Sequence, residues 1–221
     1  MPTIIFDADS TIFSIETLDQ LSIPILEKYP AKLEKIHKLT QLGMQGKLDF
    51  NQSLKMRLDI LQLSRNSLED FIANLHNYVT DGLPELLQKL KSRGYDLWVL
   101  SGGLQEVISP ALVKIGFDES KIFGSGINWD KNGDYLGLSD LYAFNHAKVK
   151  AVKKLGLFNK WAKPSIMIGD GFTDLDVYLH KMVDHMIVYT EHIARENVID
   201  ASPHRANSIA ELQCVLDRLY Y

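Results

Sequence analysis

Asp7 and Asp9 flank a single alanine directly after the apolar run Ile4-Ile5-Phe6, and Asp170 and Asp174 follow a second such run, Ser165-Ile166-Met167-Ile168. Two carboxylates at one strand end can divide their labour, one as nucleophile and the other as acid and base. Side chains at i and i+2 point the same way if the strand continues through them, so Asp7 and Asp9 would then face one site. If the two runs are neighbours, all four carboxylates converge, and like charges that close raise one another's pKa unless a cation intervenes. A few hard oxygen ligands suit Mg²⁺, which keeps several waters and binds phosphate oxygens. Asp is also a favoured helix N-cap. For Asp174 alone the cap reading stands level with the catalytic one, but four carboxylates at the ends of buried strands favour chemistry.

Two further groups would complete an anion site. Ser101-Gly102-Gly103 ends an apolar run and opens a helical stretch, where backbone N–H groups can approach an anion. By itself it would look the same as a plain strand-to-helix turn. Lys148 lies near the start of a later helix, an unusual place for a cation on dipole grounds, although alone it reads as a solvated lysine. Arg57 falls within or beside the apolar arc of Phe50, Leu54, Leu58 and Leu61. An arginine facing a core must find an anion. Its partner would be internal, such as Glu16, or a substrate carboxylate gripped by both arms of the fork.

The elements that must position these residues alternate. Short apolar runs at Ile4–Phe6, Asp96–Leu100, Ser165–Ile168 and His185–Tyr189 lack polar alternation, as strands buried on both faces do. Helical spacing appears at Leu83, Leu86, Leu87 and Leu90, and again at Leu175, Tyr178, Leu179 and Met182. Ser208 to Glu211 reads as a capping box for a last helix carrying Leu212, Val215, Leu216 and Leu219. This order predicts a doubly wound α/β fold with a mostly parallel, Rossmann-like sheet, binding ligands at the carboxyl ends of its strands. Residues 15–80 show only helical patterns and read as an inserted helical cap, which leaves 1–14 and 81–221 as the core domain. Asn132-Gly133 between two short runs predicts a β-hairpin over 127–135, beside the site. Pro110 predicts a kinked or shortened helix after Ser101-Gly102-Gly103.

The chain has 221 residues and a formal net charge of −4, with 46% hydrophobic and 24% charged residues. That suits a globular protein with a substantial core and gives no electrostatic reason to expect nucleic acid or a membrane surface as partner. No apolar run reaches transmembrane length, and the N-terminus lacks a signal peptide's basic region. The single cysteine, Cys214, forms no internal disulfide and reads as a small buried side chain in a cytoplasmic protein. The seven histidines show no metal-binding spacing and read as structural or surface residues. Lys32, Lys35 and Lys38 read as a solvated helical edge. The chain is expected to be a monomer or homodimer acting on a small molecule.

In order and spacing, Asp7-Ala8-Asp9-Ser10-Thr11, Ser101-Gly102-Gly103, Lys148 and Gly169-Asp170-Gly171-Phe172-Thr173-Asp174 resemble the motif set of the haloacid dehalogenase-type phosphatases. Ile15-Glu16-Thr17-Leu18-Asp19 and the stretch from Met44 to Arg57 resemble the phosphoserine phosphatase branch of that family. The resemblance implies that Asp7 accepts the phosphoryl group. Asp9 protonates the leaving oxygen and later activates water. Ser101, Gly102, Lys148 and Thr173 hold the phosphate, and Asp7, the Asp9 carbonyl and Asp170 hold Mg²⁺. Asp174 orients Lys148 or a metal-bound water. Glu16 takes the substrate ammonium and Arg57 its carboxylate, with Met44 and Phe50 lining the pocket. The expected reaction is hydrolysis of O-phosphoserine through an aspartyl-phosphate. Transfer to another alcohol such as homoserine, or hydrolysis of another small phosphate, are the nearest alternatives, and a phosphorylatable receiver or an amino acid sensor are more remote. Phe172 is bulkier than the residue common at its position, and Tyr189-Thr190-Glu191-His192 replaces a stretch commonly rich in glycine.

Overall fold

A computed structural model describes residues 2–139 and 147–220; His146 lies outside them. At its centre is a six-stranded parallel sheet. The strands are β1 (Thr3–Phe6), β2 (Asp96–Leu104), β3 (Ile122–Ser125), β6 (Ser165–Gly169), β7 (His185–Tyr189) and β8 (His204–Ala206), in the order β3-β2-β1-β6-β7-β8. A separate antiparallel pair, β4 (Ile127–Trp129) and β5 (Tyr135–Leu138), forms the expected hairpin. Among its contacts, the Tyr135 amide bonds to Leu63 O and Ser64 bridges Asp134 on the helical insert, while Trp129 Nε1 donates to Glu106 of the core.

The unbroken apolar runs follow from burial on both faces. Ile4 and Phe6 join one core cluster with Val99, Ile168 and Ile187. Ile5, between them, joins a second cluster with Trp98, Met167, Met186 and Val188. Successive residues of one strand thus feed opposite sides of the sheet. The covering helices are α5 (Leu83–Ser92), α6 (Gln105–Lys114), α7 (Ala147–Lys154), α8 (Phe172–Leu179), α9 (Glu196–Ile199) and α10 (Ile209–Tyr220).

After a tight turn at Ala8–Ile12, the insert between β1 and α5 is built of helices: α1 (Thr17–Ile25), α2 (Pro30–Met44), α3 (Phe50–Leu61), α4 (Asn66–Asn74) and a short 3₁₀ turn, Leu75–Tyr78. The insert joins the core through a narrow neck. Phe13 pairs with Val79, the Ser14 amide bonds to Tyr78 O, and the Thr80 amide bonds to Ile12 O. The insert also lies directly on the core. The Phe50 ring sits against Gly102, where an added Cβ would stand 2.2 Å from its Cζ, and Met44 Sδ sits beside Gly171.

Several expectations change. β1 ends at Phe6, so Asp9 does not continue a strand. Ala8–Ile12 forms a single tight turn, with Ser10 at φ 51° in the left-handed region. Cys214 is exposed, because it lies two residues, about 200° of helix, from Leu212 on the buried stripe of α10. Leu179 is likewise exposed, since α8 buries Leu175 and Val177 instead. The α10 cap is not reciprocal: Ser208 Oγ accepts from the Glu211 amide, but Glu211 accepts from Asn207. α6 runs ten residues through Pro110, held by Val107 and Ile108 before it and Ala111 and Leu112 after it. No described helix is long and apolar enough to cross a membrane.

The Phe50–Gly102 fit carries a prediction. Gly102→Ala forces a methyl group into the ring's space, and overpacking of this kind costs about 1–3 kcal/mol. The midpoint of denaturant unfolding is expected to fall by a matching amount.

Candidate active site

The sheet order explains the convergence. β1 lies between β2 and β6, so Asp7, Ser101 and Asp170 reach the same edge of the sheet. Asp7 extends the β1–β6 ladder by one bond, from its amide to Ile168 O at 2.8 Å. It then caps the following turn by accepting from the Ala8 amide at 2.7 Å. After β6, Gly169 leaves the space that the Asp174 carboxylate occupies; a Cβ there would lie 2.3 Å from Asp174 Cγ. Oxygens of Asp7, Asp170 and Asp174 all come within 4.8 Å of one another, and all three residues are buried.

Lys148 enters this cluster from α7. Its Nζ lies 2.9 Å from Asp7 Oδ1 and donates a shorter bond to Asp174 Oδ1. Asp174 Oδ2 accepts from the Gly171 amide at 3.0 Å. Burial alone would lower the Lys148 pKa. The two flanking carboxylates outweigh it and hold the ammonium form well above its ordinary range. Burial and the nearby Asp7 push Asp174 up to about 7, against the pull of Lys148.

Asp9 is set apart by the tight turn. Its Oδ2 accepts from Thr17 Oγ1 at 3.1 Å, while buried Oδ1 has no hydrogen-bond partner among the described residues. Burial, then the charges of Glu16 and Asp7, raise its pKa well above the ordinary carboxylate range. The shift favours the protonated form of this carboxyl.

Among the described residues, Asp170 faces one cation, Arg195, against three other carboxylates. Burial and the charges of Glu16, Asp7 and Asp174 raise its pKa despite Arg195. Thr11 Oγ1 donates to Oδ1 at 3.4 Å, and Arg195 Nη1 lies 3.1 Å from Oδ2 without hydrogen-bond geometry, which leaves that oxygen unsatisfied. A cluster of hard carboxylate oxygens with an unsatisfied member fits a small divalent cation such as Mg²⁺.

A second shell of charge lies on the insert. Glu16 Oε1 accepts from Ser10 Oγ at 3.0 Å and from Arg195 Nη2 at 3.2 Å, while its Oε2 is buried and unpartnered. Burial raises the Glu16 pKa, with Arg195 opposing. Arg57, 3% exposed, does form an internal ion pair, but with Asp19 at 3.6 Å rather than with Glu16. Its Nη1 donates to Thr40 Oγ1 at 3.0 Å, and its Nε has no hydrogen-bond partner among the described residues. Asp19 also accepts from Thr40 at 2.5 Å and pairs with His37 Nδ1 at 2.8 Å. Thus His37 belongs to the charge network of a cavity of about 710 Å³ that it lines with Glu16, Asp19, Thr40 and Arg195.

The remaining expected residues border the same centre. Ser101 is buried, its Oγ accepting from the Gly103 amide at 3.0 Å. Thr173, Phe50, Lys148 and Phe172 line a smaller cavity of about 290 Å³. Met44 and Phe50 are buried where the insert meets the core. The sequence reading had no role for Asp19, Thr40 or Arg195. Asp19 carried a signal, standing three residues after Glu16 on one helix face. Arg195 carried none, because it lies in an irregular segment after β7.

Comparison with known proteins agrees with this geometry. Residues 1–177 match the model of a hydrolase family described as haloacid dehalogenase-like hydrolase. The phosphoserine phosphatase of Mus musculus is 27% identical over 209 residues, covering 94% of this chain and 89% of that protein. A solved phosphoserine phosphohydrolase-like protein from Francisella tularensis superposes with a TM-score of 0.91 at 37% identity, covering 97% of this chain and 99% of that one. A solved phospho-aspartyl intermediate analogue of phosphoserine phosphatase superposes with a TM-score of 0.78 at 25% identity, covering 98% of each chain. The chain is an enzyme that belongs to the haloacid dehalogenase-like hydrolase family and is related over nearly its whole length to phosphoserine phosphatases.

Proposed function

We propose that this enzyme hydrolyses O-phosphoserine to serine and phosphate, with Mg²⁺ as cofactor and residues 15–80 acting as a cap over the site. The observation that carries the reading is a set of buried polar atoms without hydrogen-bond partners beside one acidic cluster: Asp9 Oδ1, Glu16 Oε2, Asp170 Oδ2 and Arg57 Nε. Buried polar atoms left unsatisfied are costly. A phosphorylated zwitterion and a divalent cation supply what these atoms lack. The ammonium suits Glu16, the carboxylate suits Arg57, and the cation suits Asp170.

Asp7 attacks phosphorus through a carboxylate oxygen, so the bond from phosphorus to the seryl oxygen breaks as the aspartyl-phosphate forms. Asp9 delivers its proton to the departing oxygen. It then takes a proton from the water that attacks the aspartyl-phosphate, releasing phosphate and restoring Asp7. Lys148, Ser101, the Gly102 amide and Thr173 hold the phosphoryl oxygens, where positioned donors stabilise the developing charge. Asp174 keeps Lys148 in place. The Asp7 and Asp170 carboxylates with the Asp9 carbonyl would hold Mg²⁺, whose charge, when bound, neutralises phosphate oxygens. The cap excludes bulk water from the reaction.

Three outcomes test this. Asp7→Asn abolishes phosphate release from phosphoserine, and Asp9→Asn lowers it by about 10²–10⁴-fold. Unchanged release from either variant would refute the assigned roles.

Arg57→Ala raises KM for phosphoserine at least about tenfold, the scale of a lost charged hydrogen bond, while p-nitrophenyl phosphate, which has no carboxylate, suffers far less. Equal losses on both would make Arg57 structural.

Asp9→Asn also raises the thermal midpoint at neutral pH. A carboxyl whose pKa is higher folded than unfolded binds its proton more tightly in the native state. It therefore costs stability as pH rises from the unfolded pKa through the folded one. The stabilisation should fade below pH 4, where the carboxyl is protonated in both states; a pH-independent change would assign it to packing instead.

A further inference from the structure

Among the contacts between insert and core, three seat an apolar side chain, Phe or Met, against a glycine. Two point from insert to core: Phe50 on Gly102 and Met44 on Gly171. The third points the other way. Phe172, the first residue of α8, lays its ring against Gly46; a Cβ on Gly46 would meet Cδ1 at 3.0 Å and Cγ at 3.1 Å. Gly46 lies in the turn that closes α2, at φ +70°, where glycine is favoured. That turn is fixed to its helix, because the Lys47 and Leu48 amides both bond to Leu42 O. Phe172 is equally well anchored, packing against the core cluster that holds Leu175 and Val177. Its ring also walls the 290 Å³ cavity leading to Lys148.

We propose that Phe172 is the seat on which the Gly46 turn of the cap lands, a positioning residue that holds Met44 and Phe50 over the site and limits the size of the substrate on its Lys148 side. This rests on the cap reading above. The contact opposes a rigid ring to a rigid turn, so it is lost by small displacements, as close packing requires. With the ring removed, the cap loses one of these three apolar seats, and the cavity at Lys148 opens toward the seam between cap and core.

The test compares the full-length wild type with Phe172→Ala and Phe172→Leu. Hydrogen exchange of residues 43–50 is measured alongside kcat and KM for phosphoserine and p-nitrophenyl phosphate. Phe172→Ala should speed exchange at 43–50 about tenfold while β1 and β6 keep their protection. Its kcat/KM should fall about 10–100-fold for phosphoserine and rise for the bulkier aryl phosphate, with Phe172→Leu between. A double-mutant cycle adds Gly46→Ala in both backgrounds, so that the backbone strain at Gly46 cancels and only the ring contact remains. Less than additive losses support the seat, and additive losses overturn it. Unchanged exchange at 43–50, or parallel losses on the two substrates, would also overturn it. Faster exchange in a protein that never turns over phosphoserine would keep the seat and reject the substrate instead.

Discussion

Lys148 lies between Asp7 and Asp174, and the rest of the site depends on it. Oxygens of three buried carboxylates stand within 4.8 Å of one another, an arrangement that repels itself without cations. The fold meets this from several directions. β1 and β6 are neighbours, so Asp7 and Asp170 start from adjacent strand ends. Gly169 gives up its side chain so that Asp174 can lie flat against the strand end. α7 packs against α8, which brings the ammonium to both carboxylates. Arg195 supplies a second cation, between Asp170 and Glu16. An unpaired charge in such a place is far costlier than a paired one, so the positions of these groups are mutually dependent.

The insert repeats that logic one layer out. Arg57 is neutralised by Asp19, which Thr40 and His37 hold in turn. The buried guanidinium Nε–H still has no hydrogen-bond partner among the described residues. In the proposed reading, an arginine fixed on one side and open on the other is preorganised to bind the substrate carboxylate without leaving its own partner. Its side-chain entropy has been spent in folding rather than in binding.

Much of this was readable beforehand because the signals were local or periodic. The unbroken apolar runs announced strands covered on both faces, and Phe50, Leu54, Leu58 and Leu61 are all buried, as their spacing requires. β3 and β8 were missed because four and three residues, with His204 and Arg205 among them, leave no apolar run to see. At Asp9 the condition on strand continuation is what fails. Alternation along a strand places i and i+2 together only while the strand lasts, and the turn at Ser10 ends it. Cys214 was misjudged by residue type, when its angle from Leu212 on α10 decides its exposure. Arg195 could not be found in advance, since its partners, Glu16 and Asp170, are far away in sequence and no periodicity surrounds it.

The neck of the insert has a wider meaning. A Phe13–Val79 bridge, flanked by bonds at Ser14 and Thr80, aligns the outgoing and returning chains. Such a splice specifies only that two chain ends arrive side by side and antiparallel. It places no demand on the length or architecture of what hangs between them. What ties the insert to the strand ends is instead carried by side chains that cross over, Thr17 to Asp9 and Arg195 to Glu16, so the splice sets where the insert attaches and those crossings set how it faces the carboxylates.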